Sequence, residues 1–386
     1  MLPAPMIAAW TLTFALPQTA SAPQSAPAPS DDLAATARQL PRAEAWLAAK
    51  GAKGFRFRRA PGGKATAWFE TIAREDPKQE TLGHYALALV DRPDGTVRTV
   101  DLSADVKRAD TLVGPVWSAD GARLAVGFET AADHSGTAHV LVVDAQTGQA
   151  IPWLTEPGAL VTSLNWSQDG TQLALTVNEG WSRVLEEGRD AFSFRVLKGA
   201  DQVAWRGTIP DEHGFGAAVA LSPDGHRVLA MSRNGVFLFE AGKPGNTRLG
   251  DVQPDATIFS TPQWSADGSR AVAVAGGAVT FVDLRARSVR CVGEKQLRGR
   301  AFEVAWVPGT PHALALVQQV GDGSADEVRL GAGHARQRYS SVPVLVSALS
   351  GAPRTLDALR KATPAGVNPN LEYLPQVTEA LSLWLR

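Results

Sequence analysis

Cysteine is almost missing from this chain of 386 residues: there is one, Cys291. An intramolecular disulfide is therefore excluded, as is any site built on a cysteine pair. Cys291 sits in the run Val289-Arg-Cys-Val292, where it reads as a small buried apolar residue. An excess of charge is missing too. There are 38 Lys and Arg against 39 Asp and Glu, a formal net charge of −1. A dedicated nucleic-acid binder usually shows a basic excess, so none is expected, although a local basic patch remains open. The N-terminal apolar run Met6–Leu16 has 11 residues, too few to span a bilayer, which needs about 20. The sequence also lacks a Gly-x-Ser-x-Gly elbow, a His-Glu-x-x-His pair and a Walker loop, so the common hydrolase, zincin and nucleotide signatures are absent.

What is present is a repeat. Val113-Gly-Pro-Val-Trp-Ser-Ala-Asp-Gly-Ala-Arg-Leu-Ala-Val-Gly127 is an apolar strand ending in Trp117, a tight turn, and a second apolar strand. The device returns at Trp166-Ser-Gln-Asp-Gly170, at Leu221-Ser-Pro-Asp-Gly225 and at Trp264-Ser-Ala-Asp-Gly268, with a worn copy at Trp306-Val-Pro-Gly309. The aspartates Asp120, Asp169, Asp224 and Asp267 are spaced by 49, 55 and 43 residues. A device recurring at such a period marks a repeat fold. Asp-Gly between apolar runs marks a hairpin, because glycine takes the positive-φ position freely. The 36 Gly, 25 Pro and 11 Trp suit an all-β array.

Strands are expected in sets of four. The first unit runs through Phe55–Phe57, Ala65–Thr71, Tyr85–Asp91 and Thr96–Leu102. The fifth takes Thr257–Ser265, Arg270–Ala275, Ala278–Asp283 and Ser288–Val292. Six such units predict an all-β, six-bladed β-propeller of four-stranded blades with a short N-terminal helical segment. Residues 1–22 read as a signal peptide, with Ala20-Ser-Ala22 at the cut and no Lys or Arg ahead of the apolar run. Residues 23–51 read as a Pro/Ala-rich linker with short helices, 52–362 as the propeller, and 363–386 as a tail whose alternation over Ala380–Arg386 offers a ring-closing strand. A periplasmic or secreted monomer is expected.

The pattern Trp-Ser-x-Asp-Gly, an apolar strand, Val142-Val-Asp144-x-x-Thr147-Gly148 and Trp153-Leu-Thr155 resembles the blade of TolB-like, WD40-like propellers. The resemblance covers Val113 to about Val292 and the propeller only, without the N-terminal domain of TolB. It implies a six-bladed propeller of this blade type and does not name a ligand. The repeat residues carry structural expectations. Trp117, Trp166, Trp264 and Trp306 should fill the wedges between blades. Asp120, Asp169, Asp224 and Asp267 should accept hydrogen bonds from turn amides.

The chemistry-bearing residues are sparse. Asp322-Gly-Ser-Ala-Asp326 has calcium-loop spacing but fails at Glu327 and Gly333. His84, His134, His213 and His334 fall in or beside loops; no metal and no cofactor is expected. The longest insertions, Glu179–Asp190 and Val320–Tyr339, lie on one face of the ring. With the neighbouring connection they supply Trp181, Arg183, Arg298, Arg300, His334, Arg336 and Arg338, a basic rim suited to a partner. The short turns on the other face carry Arg123 and Arg270. The leading expectation is an exported, non-catalytic scaffold that binds a protein, a peptide or an envelope component. The rivals are a lactonase- or lyase-like enzyme with a site at the mouth of the central channel, and a small-ligand or glycan binder using Trp181 and Tyr339.

Overall fold

The computed structural model describes residues 52–59, 65–72, 84–91, 97–100, 109–130, 136–179, 192–210, 216–253, 256, 259–307, 310–320, 328–330, 334–336 and 339–355. The signal peptide, the linker helices and the ring-closing strand expected from the sequence lie outside these residues.

The first sheet is β1 (Ala52–Arg59), β2 (Ala65–Ile72), β3 (His84–Asp91) and β4 (Val97–Val100). The second is β5 (Ala109–Trp117), β6 (Arg123–Thr130), β7 (Thr137–Asp144) and β8 (Ala150–Pro157). The third is β9 (Leu160–Trp166), β10 (Leu173–Asn178), β11 (Phe192–Gly199) and β12 (Gln202–Thr208). The fourth is β13 (Ala217–Leu221), β14 (Arg227–Ser232), β15 (Gly235–Glu240) and β16 (Thr247–Gly250). The fifth is β17 (Gln263–Trp264), β18 (Arg270–Ala275), β19 (Ala278–Asp283) and β20 (Ser288–Val292). A single helical turn, α1 (Glu294–Leu297), leads to β21 (Arg300–Trp306) and β22 (His312–Val320). A small hairpin of β23 (Val328–Leu330) and β24 (His334–Arg336) interrupts the sixth sheet before β25 (Tyr339–Ser347) and β26 (Pro353–Thr355) complete it. Each of the six four-stranded sheets is an antiparallel meander in chain order.

The burial of the strands shows how the sheets pack. The second strands are apolar without alternation, and β10, Leu-Ala-Leu-Thr-Val-Asn, is buried at every residue. A strand buried on both faces lies between two other sheets. The fourth strand β12 is exposed or half-buried throughout, as an outer edge must be. The cores lie between consecutive sheets. Val140, Trp153, Leu164, Trp166 and Leu175 join the second to the third. Phe194, Val219 and Phe239 join the third to the fourth, Met231 and Ala273 the fourth to the fifth, and Phe281 and Val317 the fifth to the sixth. Four-stranded meanders stacked face to face, apolar inside and polar at the outer strand, form a β-propeller.

The first strands converge at the inner edge and are stitched there. The Trp166 indole N–H donates to the Val116 carbonyl at 3.0 Å, Trp264 to Ala220 at 3.1 Å, and Trp306 to Gln263 at 2.8 Å. In each case the acceptor is on the first strand of the preceding blade. Trp166 also packs edge-on against Trp153, ring centres 5.5 Å apart.

Two details differ from the sequence reading. The first strand of the fifth blade is two residues long, not Thr257–Ser265. Pro262 has no N–H for the ladder, and beyond it the pairing continues only as the single bridge Phe259↔Ala275. Cys291 is half-buried, not buried. It stands on the fourth strand, where exposure alternates.

Candidate functional site

The Asp-Gly turns define one face of the propeller. In the second blade the Ser118 hydroxyl donates to Asp120 Oδ1 at 2.6 Å and accepts the Arg123 amide at 2.9 Å, while Asp120 accepts the Ala122 amide at 3.0 Å. The third, fourth and fifth blades repeat this with Ser167 and Asp169, Ser222 and Asp224, and Ser265 and Asp267. The following glycine needs its freedom, with φ of 67° at Gly121, 68° at Gly170, 71° at Gly225 and 62° at Gly268. The serine hydroxyls hold Asp120, Asp169 and Asp267 below the usual carboxylate range. At Asp224 burial pushes upward, and the Ser222 hydroxyl, with the His226 amide and Arg227, outweighs it. These carboxylates are occupied by their own turns.

Arg123 and Arg270 on this face are also engaged. Arg123 donates to the Gly170 carbonyl at 3.2 Å and lies over the Trp153 ring, and Arg270 reaches Asp283 at 3.3 Å. They join neighbouring blades or strands, so reversing the charge of either is expected to cost stability.

The opposite face carries the connections between second and third strands and from blade to blade. The two long insertions leave from it, after Asn178 and after Val320. Trp181, Arg183 and Arg338 lie outside the described residues. His334 and Arg336 are placed on β24, opposite Leu330 and Val328. Arg298 and Arg300 stand at the same end of the sixth blade. Arg300 pairs with Gln318 near the end of β22, and Val320 pairs with Tyr339 where β25 returns. Lys295, Arg298 and Arg300 are all exposed, while Leu297 and Gly299 between them are buried. A Cβ on Gly299 would lie 2.5 Å from the Gln318 carbonyl oxygen, so only glycine lets the chain sit this close to β22. The exposed cations are thereby fixed to the blade.

The sequence reading missed one element of this face. Arg195 is buried between the second and third blades. Its guanidinium meets Glu156 at 2.7 Å and Glu179 at 2.6 Å, and donates to the Ser193 hydroxyl at 2.7 Å. Ser193 in turn donates to Glu179 at 2.6 Å. Burial would raise the Glu179 carboxyl, but Ser193 and Arg195 outweigh it and hold it below its ordinary value. Glu179 is the first residue of the insertion that carries Trp181 and Arg183, so this network ties the root of that insertion to the blade. The available signal was Phe192-Ser-Phe-Arg-Val196. Two polar residues on one face of a strand with apolar neighbours must find partners across the blade boundary.

Among the described residues, no three of His, Cys, Asp and Glu come together as a metal-binding set. No described helix is long and apolar enough to cross a membrane. The sequence Asp322–Asp326, His134 and His213 lie outside the described residues. Burial pushes the Cys291 thiol up, which keeps it protonated.

No known protein family and no curated protein matches the chain. Solved structures do match, at low identity. A prolyl endopeptidase structure is 13% identical over 85% of this chain and 55% of its own, with a TM-score of 0.46. This chain therefore spans about half the length of that protein. The β-propeller domain of the trilobed protease from Pyrococcus furiosus is 11% identical over 82% of this chain and 100% of its own, with a TM-score of 0.46. An oligogalacturonate lyase in complex with manganese is 12% identical over 83% of this chain and 88% of its own, also with a TM-score of 0.46. These are likenesses of architecture alone.

Proposed function

We propose that this propeller is an exported, monomeric binding module that holds a protein, a peptide or an envelope component on its insertion-bearing face. The observation that carries this reading is the group Lys295, Arg298 and Arg300, exposed on a buried Leu297 and Gly299 frame, at the end of the blade from which the 321–338 insertion departs. Exposed cations held on a rigid element steer an anionic partner and set its on-rate. The Arg195 network supports the same reading from the third blade, by anchoring the root of the other insertion. The Asp-Gly face offers short turns whose polar groups bond to one another. The apolar run Met6–Leu16 with Ala20-Ser-Ala22 after it supports a location in the periplasm or outside the cell, and no cofactor is needed for the proposed role.

The test is capture of the native partner from an envelope or culture fraction at low and high salt. R298E/R300E should lose most of the captured partner at low salt, and the wild type should lose it as salt screens the rim. K198E/K243E, exposed at the end of β11 and on a turn of the other face, should behave as wild type. Capture lost only in the K198E/K243E variant would place the site on the wrong face. Turnover of a lactone or a uronate by the pure protein would favour the enzymatic alternative instead.

A further inference from the structure

The repeat supplies an internal standard against which each blade can be read. Counting back from the tryptophan that ends the first strand, the third blade has Thr162 four residues before Trp166, Leu160 at six and Gly158 at eight. The second blade has Val113, Thr111 and Ala109 at the same places before Trp117. These are small or aliphatic residues. The sixth blade has Phe302, Arg300 and Arg298 before Trp306. One aromatic and one guanidinium group replace bland residues at alternate positions of the inner strand β21, and a second guanidinium stands two residues ahead of it, at the residue that ends α1.

The backbone presents all three. At eight residues before the tryptophan, the third blade turns through the left-handed region at Gly158, φ 73°. The sixth blade makes the same turn at Arg298, φ 57°, where glycine is the natural choice. An arginine kept in a glycine position suggests a use for its side chain. Arg300 lies across the fifth blade, its Nε 3.0 Å from where a Cβ on Gly277 would stand. Phe302 is the extra residue of a β-bulge, since Ala301 pairs with Val317 and Glu303 with Leu316. The third blade bulges at the equivalent Thr162, between Val161 and Ser163. Bulges re-aim a side chain, and here the result is a phenylalanine 37% exposed. The other exposed large apolar residues, Ile151, Val203 and Leu349, stand on fourth strands or on the turn before one. Among the described residues Phe302 is the one large apolar side chain exposed on an inner strand.

We propose that Arg298, Arg300 and Phe302 form a recognition patch for an acidic peptide segment that places an apolar side chain beside its carboxylates. This rests on the binding-module reading and gives the partner its chemistry. The guanidiniums are matched to carboxylates, and the exposed ring takes the apolar side chain. A peptide is favoured over an anionic headgroup because β21 is the edge of its sheet. An edge strand offers main-chain donors and acceptors that an extended peptide can use. The fifth blade already engages two such groups: the Val304 carbonyl accepts the Gln263 side-chain amide at 2.9 Å and the Ala301 amide donates to the Gly277 carbonyl at 2.8 Å.

The experiment is fluorescence anisotropy of the full chain with a labelled decapeptide of alternating glutamate and phenylalanine. Controls are the lysine-for-glutamate and alanine-for-phenylalanine peptides, and phosphatidylglycerol vesicles. The acidic aromatic peptide should bind, and both control peptides should bind at least tenfold more weakly. R298E/R300E should weaken binding at least tenfold at low salt. F302A should weaken it at least fivefold at any salt, with an unchanged melting temperature showing that the blade is intact. R300Q, which keeps most of the side chain, should fall between. Failure of the peptide to bind, equal binding by F302A and R298E/R300E, or a Phe302-dependent preference for the vesicles would each overturn the proposal. In parallel, a photo-cross-linker at position 294, exposed on α1 beside the patch, reports native capture. Cross-links that persist in F302A and R298E while the peptide fails would leave the binding-module reading standing without this patch. Loss of cross-links from every position on the insertion-bearing face would remove that reading itself.

Discussion

Replacing Arg195 by methionine tests whether the root of the third-blade insertion is held as described. The side chain is 7% exposed and is shared between Glu156, Glu179 and Ser193. Removing one partner of a buried ion pair typically costs about 3–5 kcal/mol, because the remaining charge is stranded. Here the stranded carboxylates are partly open to water, at 27% and 43%, so hydration recovers some of that loss. The low end, about 3 kcal/mol, is expected. For a protein of 386 residues that is a fall in melting temperature of about 4 °C. The pH dependence has a definite sign. The Glu179 carboxyl is lowered in the folded state, so its contribution is present above the unfolded carboxylate value and is lost as pH falls through the folded one. The gap between wild type and R195M should therefore be widest near neutral pH and narrow on acidification. R195M/E156Q/E179Q should recover part of the loss, since no charge is then left unpaired. Differential scanning calorimetry and urea melts at several pH values measure all of this. An R195M protein that melts within about 1 °C of wild type at neutral pH, or a gap that does not change with pH, would refute the reasoning.

Other outcomes follow from the same structure. Trp166→Ala should cost about 3–5 kcal/mol, as large core aromatics do, whereas Trp166→Phe should lose about 1 kcal/mol for the indole hydrogen bond to Val116; both are read by urea titration. The turn aspartates Asp120, Asp169, Asp224 and Asp267 are all lowered in the folded state. Their contribution holds above about pH 4 and is lost below it, so D169N should flatten the acid limb of the stability profile measured by circular dichroism. Mass spectrometry of the native protein should find its first residue near Ser21 or Pro23; an intact Met1 in a cytoplasmic fraction would contradict export.

The fold was legible because the repeat writes the same physics several times. Trp-Ser-x-Asp-Gly specifies a strand end, a serine that bridges the turn, an aspartate that accepts its amides, and a glycine with positive φ. The serine was overlooked in reading the sequence, although it recurs in four blades, because a hydroxyl in a turn is ordinary until its two partners are seen. The fifth blade's first strand was read too long because the β-branched and aromatic residues of Thr257-Ile-Phe-Ser-Thr261 before Pro262 look like a strand. The proline's missing N–H, which ends the ladder, weighs more than that pattern. The candidate site was less legible. Arg298 and Arg300 stand out as charges, but their rigidity comes from the contact of Gly299 with Gln318, which joins positions far apart in the chain. Phe302 reads as one more apolar strand residue until the bulge turns it outward. Arg195 was hidden because its partner Glu156 lies one blade away.

Site-specific photo-cross-linking in the native cell tests the central claim most directly. A cross-linker at position 294, on the insertion-bearing face, should yield a discrete adduct that weakens as salt is raised. The same group at position 243, on an Asp-Gly-face turn of the fourth blade, should yield none. Adducts from position 243 with none from position 294 would contradict the account.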